Sequence, residues 1–130
     1  MLLSAHITAI QAEGPDADLV RLGHQWAALL QSAYAAEERQ VDYERETDPL
    51  FPEVSEETIN NPQWQALQTE RDTLEERRTR IRDAILTTSA HTFDGFRIKA
   101  AAAVDFPSDG YWVNRTWNAM SAVLYEMTEL

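Results

Sequence analysis

The fold is decided by residues 16–36, DADLVRLGHQWAALLQSAYAA, whose apolar side chains recur at steps of three and four. One face of a helix would carry Leu19, Leu22, Trp26, Leu29, Ala33 and Ala36, and Val20, Leu30 and Tyr34 widen that stripe. A Gly-Pro pair precedes the stretch, and two aspartates open it where the helix dipole favours negative charge. Helix-compatible residues continue to an Asp-Pro pair, so the pattern predicts a helix over about 16–46.

A second long helix is predicted after a proline-containing acidic loop at residues 47–61. Asn61 and Pro62 suit the N-cap and the first position of a helix. The residues that follow form two rows at seven-residue spacing, Leu67, Leu74, Ile81 and Thr88 in one and Trp64, Arg71, Arg78 and Ile85 in the other. This pattern is typical of a coiled-coil seam and predicts a helix over about 62–88, antiparallel to the first.

Two shorter helices are predicted in the last forty residues. Thr92 suits the cap of a helix over about 93–104, and apolar spacing indicates another over about 114–128. With only 4 Gly and 5 Pro in 130 residues, the chain has too few turn signals for an all-β fold. We therefore expect one all-α domain, residues 1–130, in which two shorter helices pack against a long antiparallel helical hairpin. Residues 1–13 are either a flexible segment or a short docking element.

The charge argues against a nucleic-acid-binding protein. The chain has 22 acidic and 11 basic side chains and a net charge of -11, whereas nucleic-acid binding requires an excess of Lys and Arg. A membrane span needs about 20 apolar residues, and no apolar run in the chain approaches that length. The first residues also lack the pattern of a secretory signal. We expect a cytoplasmic protein that contacts neither nucleic acid nor a membrane directly.

The sequence contains no recognisable catalytic or metal-binding motif. It has no Cys, and His6, His24 and His91 do not have the spacing that places two metal ligands on one helical face. It also lacks a Gly-rich phosphate loop, a Gly-x-Ser-x-Gly elbow and a dinucleotide fingerprint. We expect no catalytic residue, no cofactor, no metal and no enzymatic activity.

Arginines in the second helix have two interpretations. In an antiparallel hairpin Arg71 would lie near Glu37 and Glu38 of the first helix, which favours a structural salt bridge. The alternative is that Arg71, Arg78 and Arg82 bind an anion or an acidic partner. Paired or solvated charges are far commoner on helices, so we favour the salt bridge.

The segment TFDGFRIKA, residues 92–100, resembles a group of small uncharacterised bacterial helical proteins that are often linked to prophages. Their recurrent pattern is Thr-x-x-Gly-x-x-x-Lys-Ala, which matches Thr92, Gly95, Lys99 and Ala100. The general organisation is similar over roughly residues 16–130. The resemblance implies a helical fold and a mobile-element origin, with no activity or catalytic residue to carry over.

Two groups of residues are candidates for an interaction surface. The aromatic group comprises Tyr111, Trp112 and Trp117, whose alternative role is to seal the core. The acidic group comprises Glu37, Glu38, Asp42, Glu44 and Glu46. The sequence favours a non-enzymatic protein-interaction or adaptor protein with a protein partner, a homodimer included. The alternative is a phage-derived inhibitor or DNA mimic that presents the acidic surface of residues 37–57 to a nucleic-acid enzyme. A cryptic enzyme is a third class without positive support.

Overall fold

The computed structural model describes residues 7–104 and 123, and in this part of the chain it shows helices and no strand. The elements are α1 (Ala17–Thr47), α2 (Glu56–Ile59), α3 (Pro62–Thr87) and α4 (Phe93–Ala103), with a 3-10 turn at Gly14–Asp16 just before α1. The all-α prediction is confirmed, and the predicted bounds of α1, α3 and α4 agree with the observed bounds within one residue. The helix predicted over about 114–128 lies outside the described residues.

The chain divides into two compact units. The first, which we name the core unit, comprises residues 1–28 and 79–130, and the second, the hairpin unit, comprises residues 29–78. The assignment of residues 1–130 to one domain stays a prediction. None of the helices in the described part combines the length and the apolar character that crossing a membrane requires.

In the core unit α4 packs closely on the first part of α1. A Cβ atom at Gly23 of α1 would lie 3.1 Å from Ile98 Cγ2 and 3.2 Å from Ile7 Cγ2, so the missing side chain allows this close approach. The fully buried apolar side chains of the unit include Leu19, Val20, Trp26, Ala27, Ile85, Phe96, Ile98, Ala102 and Ala103. Burial of each large member contributes about 1.5–3 kcal/mol, so this cluster is the main apolar core of the described chain.

The N-terminal segment is docked from residue 7 onward. Ile7 is only 2% exposed, and its carbonyl accepts a hydrogen bond from Ile10 N at 3.1 Å. His24 Nε2 lies 2.8 Å from the carbonyl oxygen of Ile10, which requires the ring to donate from that nitrogen. Ile7 and Ile10 therefore contact the core unit, and the description of residues 1–13 as a flexible segment or a docking element stays a prediction.

A buried carboxylate joins the start of α1 to the start of α4. Asp16 accepts hydrogen bonds from His91 N at 3.0 Å, from Thr92 N at 2.8 Å and from Thr92 Oγ1 at 2.5 Å. Thr92 Oγ1 in turn caps α4 by accepting from Gly95 N at 3.1 Å. Burial alone would raise the pKa of Asp16, but the bonds from the Thr92 hydroxyl and from the two backbone N–H groups outweigh it and lower that pKa.

Thr92, Gly95 and Lys99 each have a structural role in the core unit. Thr92 is the cap of α4, and a Cβ atom at Gly95 would clash with Asp16 Oδ2 and lie 2.9 Å from Asp16 Cγ. Lys99 is buried, and its Nζ donates to the carbonyl of Thr88 at 2.7 Å, just beyond the end of α3. A basic group at the carbonyl end of a helix satisfies an unpaired acceptor. These three residues therefore connect α4 to α1 and to the end of α3.

Candidate functional site

The hairpin unit is formed by residues 29–47 of α1 and residues 62–78 of α3, which run antiparallel. Gln40 Nε2 donates to Gln68 Oε1 at 2.8 Å, and Arg71 Nη1 donates to Gln40 Oε1 at 2.5 Å. Arg71 Nη2 also lies 3.8 Å from Glu37 Oε1, and Arg39 forms an ion pair with Glu70. The predicted antiparallel hairpin and the predicted proximity of Arg71 to Glu37 are both confirmed.

The interior of the hairpin unit is mostly polar. The buried row of α1 in this unit steps by four and consists of Ala36, Gln40, Glu44 and, just after the helix, Asp48. No residue of α3 between 62 and 78 is fully buried. Hydrogen bonds between side chains therefore take a large part in pairing these two helices, in contrast to the apolar core unit.

This row corrects one member of the acidic surface predicted from the sequence. Glu44 is only 9% exposed, because it lies one helical turn from Gln40 on the side of α1 that faces inward. Its carboxylate is therefore not part of an exposed acidic surface. Glu37, Glu38, Asp42 and Glu46 are exposed.

The loop that closes the hairpin is ordered by a second aspartate. Asp48 accepts hydrogen bonds from Leu50 N at 2.9 Å, from Ser55 N at 2.8 Å and from Ser55 Oγ at 3.0 Å. Ser55 caps α2 by accepting from Thr58 N. The bonds from the backbone of Ser55 and Leu50, the largest effects, lower the pKa of Asp48 to about 2. Asp16 and Asp48 thus have the same structural role, because each accepts hydrogen bonds from the N-cap residue of a later helix.

Acidification is expected to release the Asp48 loop between about pH 4 and about pH 2. The folded pKa of Asp48 is lowered from 3.8 to about 2, so its contribution to stability is fully present above the unfolded pKa. That contribution is lost as the pH falls through the folded value. The backbone amide resonances of Leu50 and Ser55, followed by NMR, should shift with a midpoint near pH 2. Asp48→Asn should abolish this step and Asp42→Asn should preserve it; a midpoint near pH 4 would contradict the assignment.

The exposed face of α1 in the hairpin unit carries an acidic row, Glu38, Asp42 and Glu46. These residues are four positions apart, so their Cα atoms follow one another at about 6 Å along the helix axis. Asp42 forms an ion pair with Arg45 at 2.8 Å, and the Arg45 guanidinium also lies 5.3 Å from the centre of the Phe51 ring. The hairpin unit has thirteen acidic and five basic side chains, so most of the chain's excess negative charge is located there.

An apolar strip lies beside the acidic row. Leu30 and Val41 are half-buried, and Tyr34 is 50% exposed. Leu30 and Tyr34 line a groove with Asp72 and Glu75 of α3, and Tyr34 and Val41 line a second one with Glu38, Asp42 and Arg45. The surface therefore combines exposed apolar area with carboxylates on both sides of it. The strip was not predicted as a surface, although Leu30 and Tyr34 widen the apolar stripe seen in the sequence.

The other predicted site residues are distributed differently. Tyr111, Trp112 and Trp117 lie outside the described residues. Arg71 is engaged by Gln40 and Glu37, and Arg78 Nη1 lies 3.3 Å from Glu75 Oε2. Arg82 belongs to the core unit, where it is buried. These contacts support structural roles for the arginines rather than a shared anion site.

Within residues 7–104 and 123, no group of three or more His, Asp or Glu side chains is arranged to hold a metal ion. Comparison of the chain with protein-family models, with curated proteins and with solved structures gave no match. The candidate function therefore depends on the hairpin surface itself.

Proposed function

We propose that this chain is a non-enzymatic protein-interaction module and that the acidic row of α1 is its binding surface. One observation carries the proposal: Glu38, Asp42 and Glu46 lie exposed on one face of a continuous helix, in the unit that holds most of the excess charge. A helix fixes the spacing of these carboxylates, so little conformational freedom is lost when a partner binds. The partner is a protein with a complementary basic surface.

Charge on such a surface mainly changes the rate at which the two proteins associate. Complementary potentials accelerate the encounter of two proteins and disfavour partners of the same sign. Exposed charges further apart than the Debye length, about 8 Å at physiological salt, are largely screened. Binding through the acidic row is therefore expected to weaken as the salt concentration rises, mainly through a slower association rate.

A DNA mimic, the phage-derived inhibitor considered above, is a narrower form of the same proposal. The α1 part of the acidic surface of residues 37–57 runs from Glu37 to Glu46, where five acids and two arginines give a net charge of -3 over about 14 Å of helix. Duplex DNA carries about eight phosphate charges over that length. Since Glu44 is also buried, the charge density favours a general basic protein surface over a groove built for duplex DNA.

Neutralising the acidic row is expected to weaken partner binding about tenfold at low salt, because rim charges chiefly change the association rate. The test variant combines Glu38→Gln, Asp42→Asn and Glu46→Gln in the full chain. The measurement is quantitative capture from a lysate of the source cells at low and at raised salt, followed by association kinetics with the purified partner.

The matched control combines Glu53→Gln, Glu56→Gln and Glu57→Gln, which changes the charge equally at exposed positions outside the acidic row. The control should retain most of the binding. Equal losses in both variants would mean that net charge alone is responsible, and no loss in either would exclude the acidic row as the binding surface.

A further inference from the structure

Two neighbouring rows of side chains run along α1. The first faces α3 and includes Ala36 and Gln40. The second, which we name the outer row, steps by three and four residues and consists of Val20, Gly23, Ala27, Leu30, Tyr34, Glu37 and Val41. Alternating steps of three and four keep a row on one face of a helix, which is the arrangement that a packed neighbouring helix covers.

The two parts of the outer row differ in exposure. In the core unit Val20, Gly23 and Ala27 are buried, and Gly23 lies against Ile98 of α4. In the hairpin unit Leu30 and Val41 are half-buried, Tyr34 is 50% exposed and the Glu37 side chain is 53% exposed. The core unit thus shows that this row of α1 accepts a helix, and the described part of the hairpin unit supplies none.

The charged side chains around the exposed half of the outer row indicate which kind of helix would pack there. Glu38 and Asp42 line one side and Asp72 and Glu75 the other, against Arg45, Arg71 and Arg78. A second copy of the chain would bring another hairpin unit with thirteen acids and five bases, so like charges would oppose self-association there. A helix with Lys and Arg beside its apolar face has the opposite sign to the hairpin unit and is attracted to both groups of carboxylates.

We infer that the exposed half of the outer row binds a basic amphipathic helix of a partner protein, which completes a three-helix bundle with α1 and α3. Leu30, Tyr34 and Val41 receive the apolar face of that helix, in the manner of other helix-in-groove complexes. The carboxylates on either side receive its basic side chains. This inference rests on the proposed function and names the class of partner.

The test uses three labelled peptides of about 18 residues, or five helical turns, and fluorescence anisotropy with the full chain. The first has Leu at positions three and four apart and Lys elsewhere. The second has the same composition in an order that gives no apolar face. The third replaces every Lys by Glu. The first peptide should bind at least about tenfold more tightly than the second, and the third should not bind.

Chain variants locate the site. Tyr34→Ser should weaken binding of the first peptide about tenfold, because it removes the largest exposed apolar side chain of the row. Phe93→Ser removes another exposed aromatic side chain, 72% exposed on α4 and off the row, and should change binding less than about twofold. Equal effects of these two substitutions would overturn the inference.

Other outcomes separate the inference from the proposed function. Equal, salt-sensitive binding of the first two peptides, reduced by neutralising the acidic row, would overturn the helix groove and leave the interaction module intact. No binding of either basic peptide would count against both the inference and the proposed function.

Concentration-dependent dimerisation abolished by Tyr34→Ser would show that a second copy of the chain covers the exposed half of the outer row. Failure of Tyr34 to react with a nitrating reagent in the monomer would assign it to another part of the same chain. Either result would overturn the inference.

Discussion

Replacement of Gly95 by alanine is expected to lower the free energy of unfolding by about 3 kcal/mol, through overpacking and a disrupted buried hydrogen-bond network. In an ordinary helix interior the same change is stabilising by up to about 1 kcal/mol, so the sign of the effect is diagnostic. Here the new Cβ atom would clash with the buried Asp16 carboxylate. Urea unfolding followed by far-UV circular dichroism measures the difference.

A double-mutant cycle tests the stated cause. Asp16→Ala is itself destabilising, because His91 N and Thr92 N lose their common acceptor. In that background the added cost of Gly95→Ala should shrink to less than about 1 kcal/mol, since no carboxylate remains to collide with the new methyl group. Arg97→Ala, an exposed change on the same helix, is the neutral control. Strictly additive effects of the two substitutions would contradict the proposed clash.

Replacement of Gln40 by leucine is expected to destabilise the hairpin unit by about 2 kcal/mol, despite the greater hydrophobicity of leucine. Gln40 is 1% exposed and uses both ends of its amide, one towards Gln68 and the other towards Arg71. Leucine would leave a guanidinium group and an amide oxygen without these partners. The decrease in the free energy of unfolding is measured by urea unfolding of the full chain.

Removal of the whole polar group should reverse this loss. The combination Gln40→Leu, Gln68→Leu and Arg71→Leu leaves no stranded donor or acceptor of the three, so it should be near neutral or stabilising. Gln40→Glu retains an acceptor for Arg71 and should cost less than Gln40→Leu. A triple variant less stable than Gln40→Leu would contradict this account. Light scattering would show whether the triple variant also self-associates, as expected if the polar row prevents wrong pairing.

The hydrogen bonds of Asp16 and those of Gln40 have different roles in the two units. In the core unit Asp16, Thr92, Gly95 and Lys99 fix how α4 meets α1 and the end of α3. In the hairpin unit a polar interior leaves the carboxylates of α1 and the strip at Leu30, Tyr34 and Val41 available on the outside. The proposed interaction surface is consequently located in the unit whose described residues bury fewer apolar side chains.

The sequence by itself determined the helices and most of their ends. Periodicity and capping are local properties, so the bounds of α1, α3 and α4 followed from residues close together in the chain. The proximity of Arg71 to Glu37 also followed, because the length of the closing loop sets the register of an antiparallel hairpin.

Only the tertiary structure decided which helical faces are covered. Asp16 reads as an ordinary acid at a helix start, yet its hydrogen-bond partners His91 and Thr92 lie 75 and 76 positions away. Glu44 reads as a surface acid, yet it faces inward because it belongs to the same row as Gln40, which packs against α3. The outer row continues along α1 with an unbroken spacing, yet its burial at Gly23 and exposure at Tyr34 depend on where a third helix is present. Local patterns define the faces of a helix, but a face becomes interior or surface only when another element packs against it.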